Sequence, residues 1–199
     1  MNQPTSYRLF IAIAVPDAVK LELDRMQCEL RDVLPPRSTS WTKPENMHLT
    51  LRFLGDVDVG RVSELEQSLR SVVADFGELD LICERLGCFP DLRFPRVVWA
   101  WVHDTDEKLA ALAQRVNEAV ALFAERSAEN PFTGHITLAR PNKIKRADAG
   151  RLAKFLESVA TRRFGQWRAD EVELIRSELL PAGSRYTTLA TVNLLKAET

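Results

Sequence analysis

Apolar and polar positions along the chain switch between two periods, and each switch marks an element. Residues 8–15 are an apolar run, Leu9 to Val15, stopped by Pro16-Asp17, which predicts a buried strand. Over 17–34 the apolar positions Val19, Leu21, Leu23, Met26 and Leu30 take helical spacing, and Pro35-Pro36 ends the helix. A polar loop leads through Ser38, Thr39 and Ser40 to Trp41. Residues 47–54 read as a strand closed by Gly55-Asp56, and 62–76 as an amphipathic helix with Leu65, Leu69, Val72, Val73 and Phe76 on one face. A strand pair is expected at 79–86 and 97–102. A long helix follows over 104–125, capped by Asp104 and lined by Leu109, Leu112, Val116 and Val120. A strand at 135–140, a helix at 151–160 and two strands near 170–179 and 185–195 complete the pattern, the last two joined by a turn at Pro181-Ala182-Gly183.

This order predicts an α+β fold of two similar lobes, each a small antiparallel sheet with helices on its outer face. Short, hairpin-like joins favour antiparallel pairing over a doubly wound parallel sheet. No composition boundary or linker divides the chain, so residues 1–199 are expected to form one bilobal domain.

Composition narrows the function. The chain has 199 residues, 45% hydrophobic and 28% charged, which is ordinary globular usage. Its 27 Lys and Arg against 28 Asp and Glu leave a net charge of −1, which excludes a protein that coats nucleic acid by bulk positive charge. No apolar run approaches the ~20 residues that span a bilayer. The start, Met1-Asn2-Gln3-Pro4, carries no signal-peptide pattern, so a soluble cytoplasmic protein is expected. No exposed apolar heptad is evident, and a monomer is the expectation. Cys28, Cys83 and Cys88 form no CxxC, predicting buried or half-buried free thiols rather than a disulfide framework or a zinc ribbon.

Histidine is scarce, at 3 residues, and two of them head the same word. His48-Leu49-Thr50-Leu51 and His135-Ile136-Thr137-Leu138 are both His-x-Thr-Leu at the start of predicted strands. On a strand, residues two apart share a face, so each His stands beside its Thr while the aliphatic residues between them point to a core. Two imidazoles suit phosphoester cleavage near neutral pH, one neutral ring taking a proton and one imidazolium giving one. Threonine hydroxyls are neutral donors that can hold nonbridging phosphate oxygens. A zinc site needs at least a third protein ligand, and neither motif contains another ligating side chain, so no metal and no cofactor are expected. His103 has no Thr partner and reads as a strand-end residue.

These motifs resemble those of the 2H phosphoesterase superfamily, and within it the bacterial and archaeal RNA 2′,3′-cyclic phosphodiesterases, also called 2′-5′ RNA ligases. The resemblance also rests on residues 8–13, on the continuation Arg52-Phe53-Leu54-Gly55, on Ala139-Arg140, and on residues 175–179 with Tyr186. It departs at Gly134, where the family usually has Pro, a change expected to loosen the start of the strand. It implies two lobes related by a pseudo-twofold axis, with the histidines facing across a catalytic cleft. It further implies hydrolysis of an RNA 2′,3′-cyclic phosphate end, or of a small nucleotide, to a 2′-phosphate. His48 would then be the proton donor to the leaving 3′ oxygen and His135 the proton acceptor that activates water. Thr50 and Thr137 would hold the phosphate, and the reverse reaction would join 2′-5′ ends. Alternatives are a noncatalytic RNA-end or nucleotide binding module, and a related enzyme acting on 2′-5′ oligonucleotides or small cyclic nucleotides.

Three further residues are candidates for substrate binding. Arg140 lies where the family pattern carries Arg, but strict alternation turns it away from His135, so a bulge or the strand end must redirect it. Phe53 occupies the matching position after the first motif, as core or as a base platform. Arg52 shares a face with His48 and Thr50 by parity. Trp41 and Tyr186 are conceivable base-stacking residues, for which plain packing is the better reading.

Overall fold

The computed structural model describes residues 4–126, 131–142, 144–181 and 183–195. Two antiparallel sheets carry the architecture. The first has four strands: β3 (His48–Asp58), β1 (Ser6–Ala14), β8 (Glu171–Leu180) and β9 (Gly183–Asn193), in that spatial order. The second has five: β2 (Thr39–Trp41), β6 (His135–Pro141), β5 (Val97–His103), β4 (Leu79–Phe89) and β7 (Arg163–Ala169). Four helices, α1 (Asp17–Arg31), α2 (Val62–Val73), α3 (Lys108–Ala119) and α4 (Arg146–Ser158), join them. The expected α+β class with two antiparallel sheets holds.

The two sheets repeat one plan. In the first, β1 leads through α1 to the motif strand β3 beside it; in the second, β5 leads through α3 to the motif strand β6. Later strands then cross between the sheets. After α2 the chain enters the second sheet as β4 against β5, and the late strand β8 returns to the first sheet against β1. Each sheet is thus completed by two strands from the other half of the chain, β8 and β9 in the first and β2 and β4 in the second.

One continuous apolar cluster runs from Leu9, Ile11 and Ile13 of the first sheet to Val98, Ala100 and Val102 of the second, with helix residues such as Leu23, Leu69, Val116 and Leu152 packed among them. Leu49, Leu51, Ile136 and Leu138 of the two motifs lie in this core, each burial contributing roughly 1.5–3 kcal/mol. The motif strands are therefore anchored on one side, which leaves the other free for chemistry. A separate small cluster of Phe10, Ala12 and Ile175, with Tyr186 against it, lies on the opposite face of the first sheet.

Several elements differ from expectation for local reasons. The polar loop before Trp41 contains β2, three residues that pair only with β6 and are too short to show a period. Strand β7 was not expected: Gly165 interrupts its alternation, and a Cβ there would come within 2.9 Å of Val19 Cγ2, so the glycine lets α1 pack close. Helix α3 starts at Lys108 rather than Asp104, yet Asp104 still caps it, its carboxylate accepting from the Lys108 and Leu109 N–H groups at 2.7 and 3.3 Å. Helix α4 begins five residues earlier than expected, at Arg146. Ala182 of the predicted final turn and the first three residues lie outside the described residues. The cysteines are free; Cys28 is exposed rather than buried, and burial pushes the Cys83 thiol up to about 12. Among the described residues no helix is long and apolar enough to cross a membrane.

Candidate active site

Strands β3 and β6 approach one another, and both begin at their motif histidine. A cleft of about 110 Å³ opens there, lined by His48, Thr50, His135, Thr137 and Arg140, together with Phe10, Thr42, Asn46 and Tyr186. Period two explains the first four: His48 and Thr50 alternate with buried Leu49 and Leu51, and His135 and Thr137 with buried Ile136 and Leu138.

Arg140 reaches the cleft through a bulge. Trp99 of β5 faces Thr137, and the next residue back, Val98, faces Ala139, so Leu138 is skipped in the register. Leu138 and Ala139 are consequently both buried, and Arg140 emerges on the face of His135. Bulges recur beside functional sites because one extra residue re-aims every side chain beyond it. The Leu138 carbonyl accepts from the Thr42 N–H at 2.9 Å and from Gln27 Nε2 at 2.7 Å. Gln27 also donates to the Thr42 carbonyl at 2.8 Å, and at 1% exposure it is a buried polar side chain on the apolar face of α1.

The first motif carries the same bulge. Ala12 faces Thr50 and Ile11 faces Arg52, so Leu51 is skipped. Here the parity expectation for Arg52 fails. The bulge turns Arg52 to the face of Ile11, away from His48, where it donates to the Arg126 carbonyl. Phe53 takes the cleft-side position beside Phe10, stacked on it at 6.3 Å and 12°, with the Arg8 guanidinium 4.9 Å above its ring. Phe53 flanks the cleft without lining it.

Each imidazole is held by the chain two residues before it, but not equally. The His135 Nδ1–H donates to the Thr133 carbonyl at 2.7 Å, which in the neutral ring leaves Nε2 as the acceptor. At His48 the Asn46 backbone favours the charged ring, yet buried Nδ1 has no partner in hydrogen-bond geometry, so this contact is the looser of the two. Burial pushes both histidines below the ordinary value of 6.5. Beyond burial, Glu173 draws His48 toward the proton-bearing form against a weaker opposing effect of Lys20, while Arg140 drives His135 toward the neutral form. Aromatic edges complete the walls: Tyr186 lies 5.5 Å from His48, and Phe89 5.1 Å from His135.

Other candidates fall elsewhere. His103 stacks on Trp101 at 4.1 Å, with Nε2 3.4 Å from Glu84, outside the cleft. Trp41 packs against the core beneath the Arg31 guanidinium. Tyr186, read from sequence as packing, is a cleft wall. Gly134 does not loosen the start of β6. A Cβ there would sit 2.2 Å from the Val102 carbonyl oxygen, so the glycine permits close pairing with β5. Phe10, Asn46, Glu173 and Gln27 were missed; only Gln27, a polar residue within an apolar helical stripe, leaves a trace in the pattern. Among the described residues no group of three or more His, Cys, Asp or Glu side chains comes together as a metal site.

A duplicated antiparallel scaffold thus presents one His-x-Thr pair from each sheet to a common cleft. A sequence model of the LigT like Phosphoesterase family matches residues 13–99 and 101–186, one copy on each half of the duplicated plan. An RNA 2′,3′-cyclic phosphodiesterase of Methanothermobacter thermautotrophicus is 29% identical over 182 residues, covering 92% of this chain and 96% of that protein. One of Archaeoglobus fulgidus is 31% identical, covering 92% and 97%. A crystal structure of a Thermus thermophilus protein superposes with a TM-score of 0.76 at 28% identity, covering 94% of this chain and 97% of that one. The chain belongs to the LigT-like phosphoesterase family.

Proposed function

We propose that this protein is an RNA 2′,3′-cyclic phosphodiesterase that opens a terminal cyclic phosphate to a 2′-phosphate, with residues 1–199 acting as one bilobal catalytic unit. The observation that carries this reading is the convergence of both His-x-Thr pairs and Arg140 on one cleft of about 110 Å³, large enough for a phosphate group. Membership of the family and the activity named for its relatives support the reaction class.

In this mechanism His135 takes the proton of a water molecule as its oxygen attacks phosphorus. The bond from phosphorus to the 3′ oxygen breaks, and His48 protonates that oxygen as it leaves. Thr50 and Thr137 donate to the nonbridging oxygens, and Arg140 offsets their charge. The unlike neighbours support the roles: on top of the burial that lowers both rings, Arg140 further disfavours a proton on His135, while Glu173 partly offsets the lowering at His48. The same steps with a 5′-hydroxyl in place of water would join it to the cyclic phosphate end through a 2′-5′ bond, the 3′ oxygen leaving as before. The substrate is an RNA end met by a monomer in the cytoplasm, a setting consistent with a net charge of −1 and a grip confined to one terminus.

The test is product analysis on an RNA ending in a 2′,3′-cyclic phosphate, in excess chelator. A 2′-phosphate product, lost in His48→Ala and His135→Ala, is expected. A 3′-phosphate product would overturn the assignment of the leaving oxygen. Binding without turnover would leave an RNA-end binding module, and turnover restricted to mononucleotides a small-nucleotide enzyme.

A further inference from the structure

The histidine cleft is too small for a nucleoside as well as a phosphate, so the rest of the substrate must lie outside it. A second cavity of about 550 Å³ adjoins it, sharing Arg140 as a wall. Its size falls within the ~300–1,000 Å³ of nucleotide-scale sites. Three chain segments build it: Ser40 on edge strand β2, Phe94 and Arg96 on the connection between β4 and β5, and Asn142 and Ile144 after β6.

Its chemistry is that of single-stranded nucleic acid recognition. Phe94 is 72% exposed, which leaves a large aromatic face unpacked. Arg96 and Arg140 supply two cations, and no carboxylate is among the lining residues. Neither arginine is in an ion pair among the described residues, although most arginines of this chain are. Ser40 and Asn142 add polar groups. A flat aromatic platform beside phosphate-binding cations accepts any base by stacking and any backbone by charge.

We infer that this groove binds the RNA strand just 5′ of the cyclic phosphate, with Phe94 stacking a base and Arg96 holding a backbone phosphate. Resting on the function proposed above, it adds where the strand behind the terminal phosphate lies and which residues favour a polynucleotide end over a cyclic mononucleotide. Arg140 lies between the two cavities and spans the terminal phosphate and the strand behind it.

The test compares kcat/KM for a tetranucleotide ending in a 2′,3′-cyclic phosphate with that for a 2′,3′-cyclic mononucleotide. A labelled tetranucleotide with a 3′-phosphate end is titrated in parallel by fluorescence anisotropy. The wild type should favour the tetranucleotide about tenfold or more, and Phe94→Ala and Arg96→Ala should each collapse that ratio, with about tenfold weaker anisotropy binding. Phe94→Trp should restore both, as a stacking platform requires and a folding defect would not. A wild type that treats both substrates alike overturns the groove's role, as do variants that retain the full ratio. If neither substrate is turned over, the proposed reaction fails, and the anisotropy series alone decides: binding that is insensitive to Phe94 and Arg96 overturns the groove as well.

Discussion

The two motif strands share a word and a bulge, yet they place different chemistry in the cleft. Both skip the Leu that follows the Thr, and both turn the fifth residue after the His toward the cleft side. In β3 that residue is Phe53, stacked on Phe10; in β6 it is Arg140, facing the histidine pair. The charged neighbours differ as well, with Glu173 acting on His48 and Arg140 on His135. Duplication supplies two equivalent imidazoles, and their surroundings make them unlike.

The largest effect should come from removing either ring. His48→Ala and His135→Ala are each expected to lower kcat/KM by ~10²–10⁴-fold, and the double variant to lose little more than the worse single one, because the two act as a unit. Steady-state kinetics on a cyclic-phosphate RNA would show it. A variant that kept half its activity would break the pairing.

The fifth-residue comparison comes next. Arg140→Ala should cost about 10–100-fold, the loss of a charge-assisted contact of about 1.5–3 kcal/mol, while Phe53→Ala should cost less than tenfold. Equal losses would mean that the bulges matter and the residues they present do not.

This contrast also shows what could be read from sequence. The paired words located the histidines and threonines because strand parity is local and holds through the first three positions of each motif. Parity failed beyond Leu51 and Leu138 because a bulge depends on what the partner strand and a distant helix supply. The Leu138 carbonyl is held by Gln27, 111 residues away in the chain. Arg52 was misplaced by that rule, and Arg140 required its breach. The unequal neighbours were illegible for a similar reason: Glu173 reaches the first sheet only because β8 crosses over from the other half.

The pH profile sharpens the asymmetry. With both rings held below 6.5 by burial, the bell for kcat/KM should peak on the acid side of ~6.5, its limbs belonging to the coupled pair. The acid limb follows deprotonation of the base. Arg140 lowers the proton affinity of His135, so Arg140→Gln should move that limb to higher pH. The alkaline limb follows loss of the proton from the acid. Glu173 raises the proton affinity of His48, so Glu173→Gln should move that limb to lower pH. Shifts of the same sign would contradict the division of roles.

The smallest effects concern the supports of β6. Gln27→Leu should lower stability by about 1–3 kcal/mol, since the Thr42 carbonyl loses its Gln27 donor and the Leu138 carbonyl one of its two, and Tm by ~2–4 °C per kcal/mol. Gly134→Ala should destabilise by a similar ~1–3 kcal/mol through its clash with the Val102 carbonyl. Thermal unfolding of both variants measures this; an unchanged Tm for Gln27→Leu would mean that the bulge holds itself.

The central claim is that His48 acts only on the leaving oxygen and His135 only on the attacking water. A cyclic phosphate carrying sulfur in place of the 3′ oxygen tests it most directly, because a thiolate leaves without a proton. On that substrate His48→Ala should regain most of the wild-type rate while His135→Ala remains inactive. Rescue of His135→Ala instead, or of neither variant, would contradict the account.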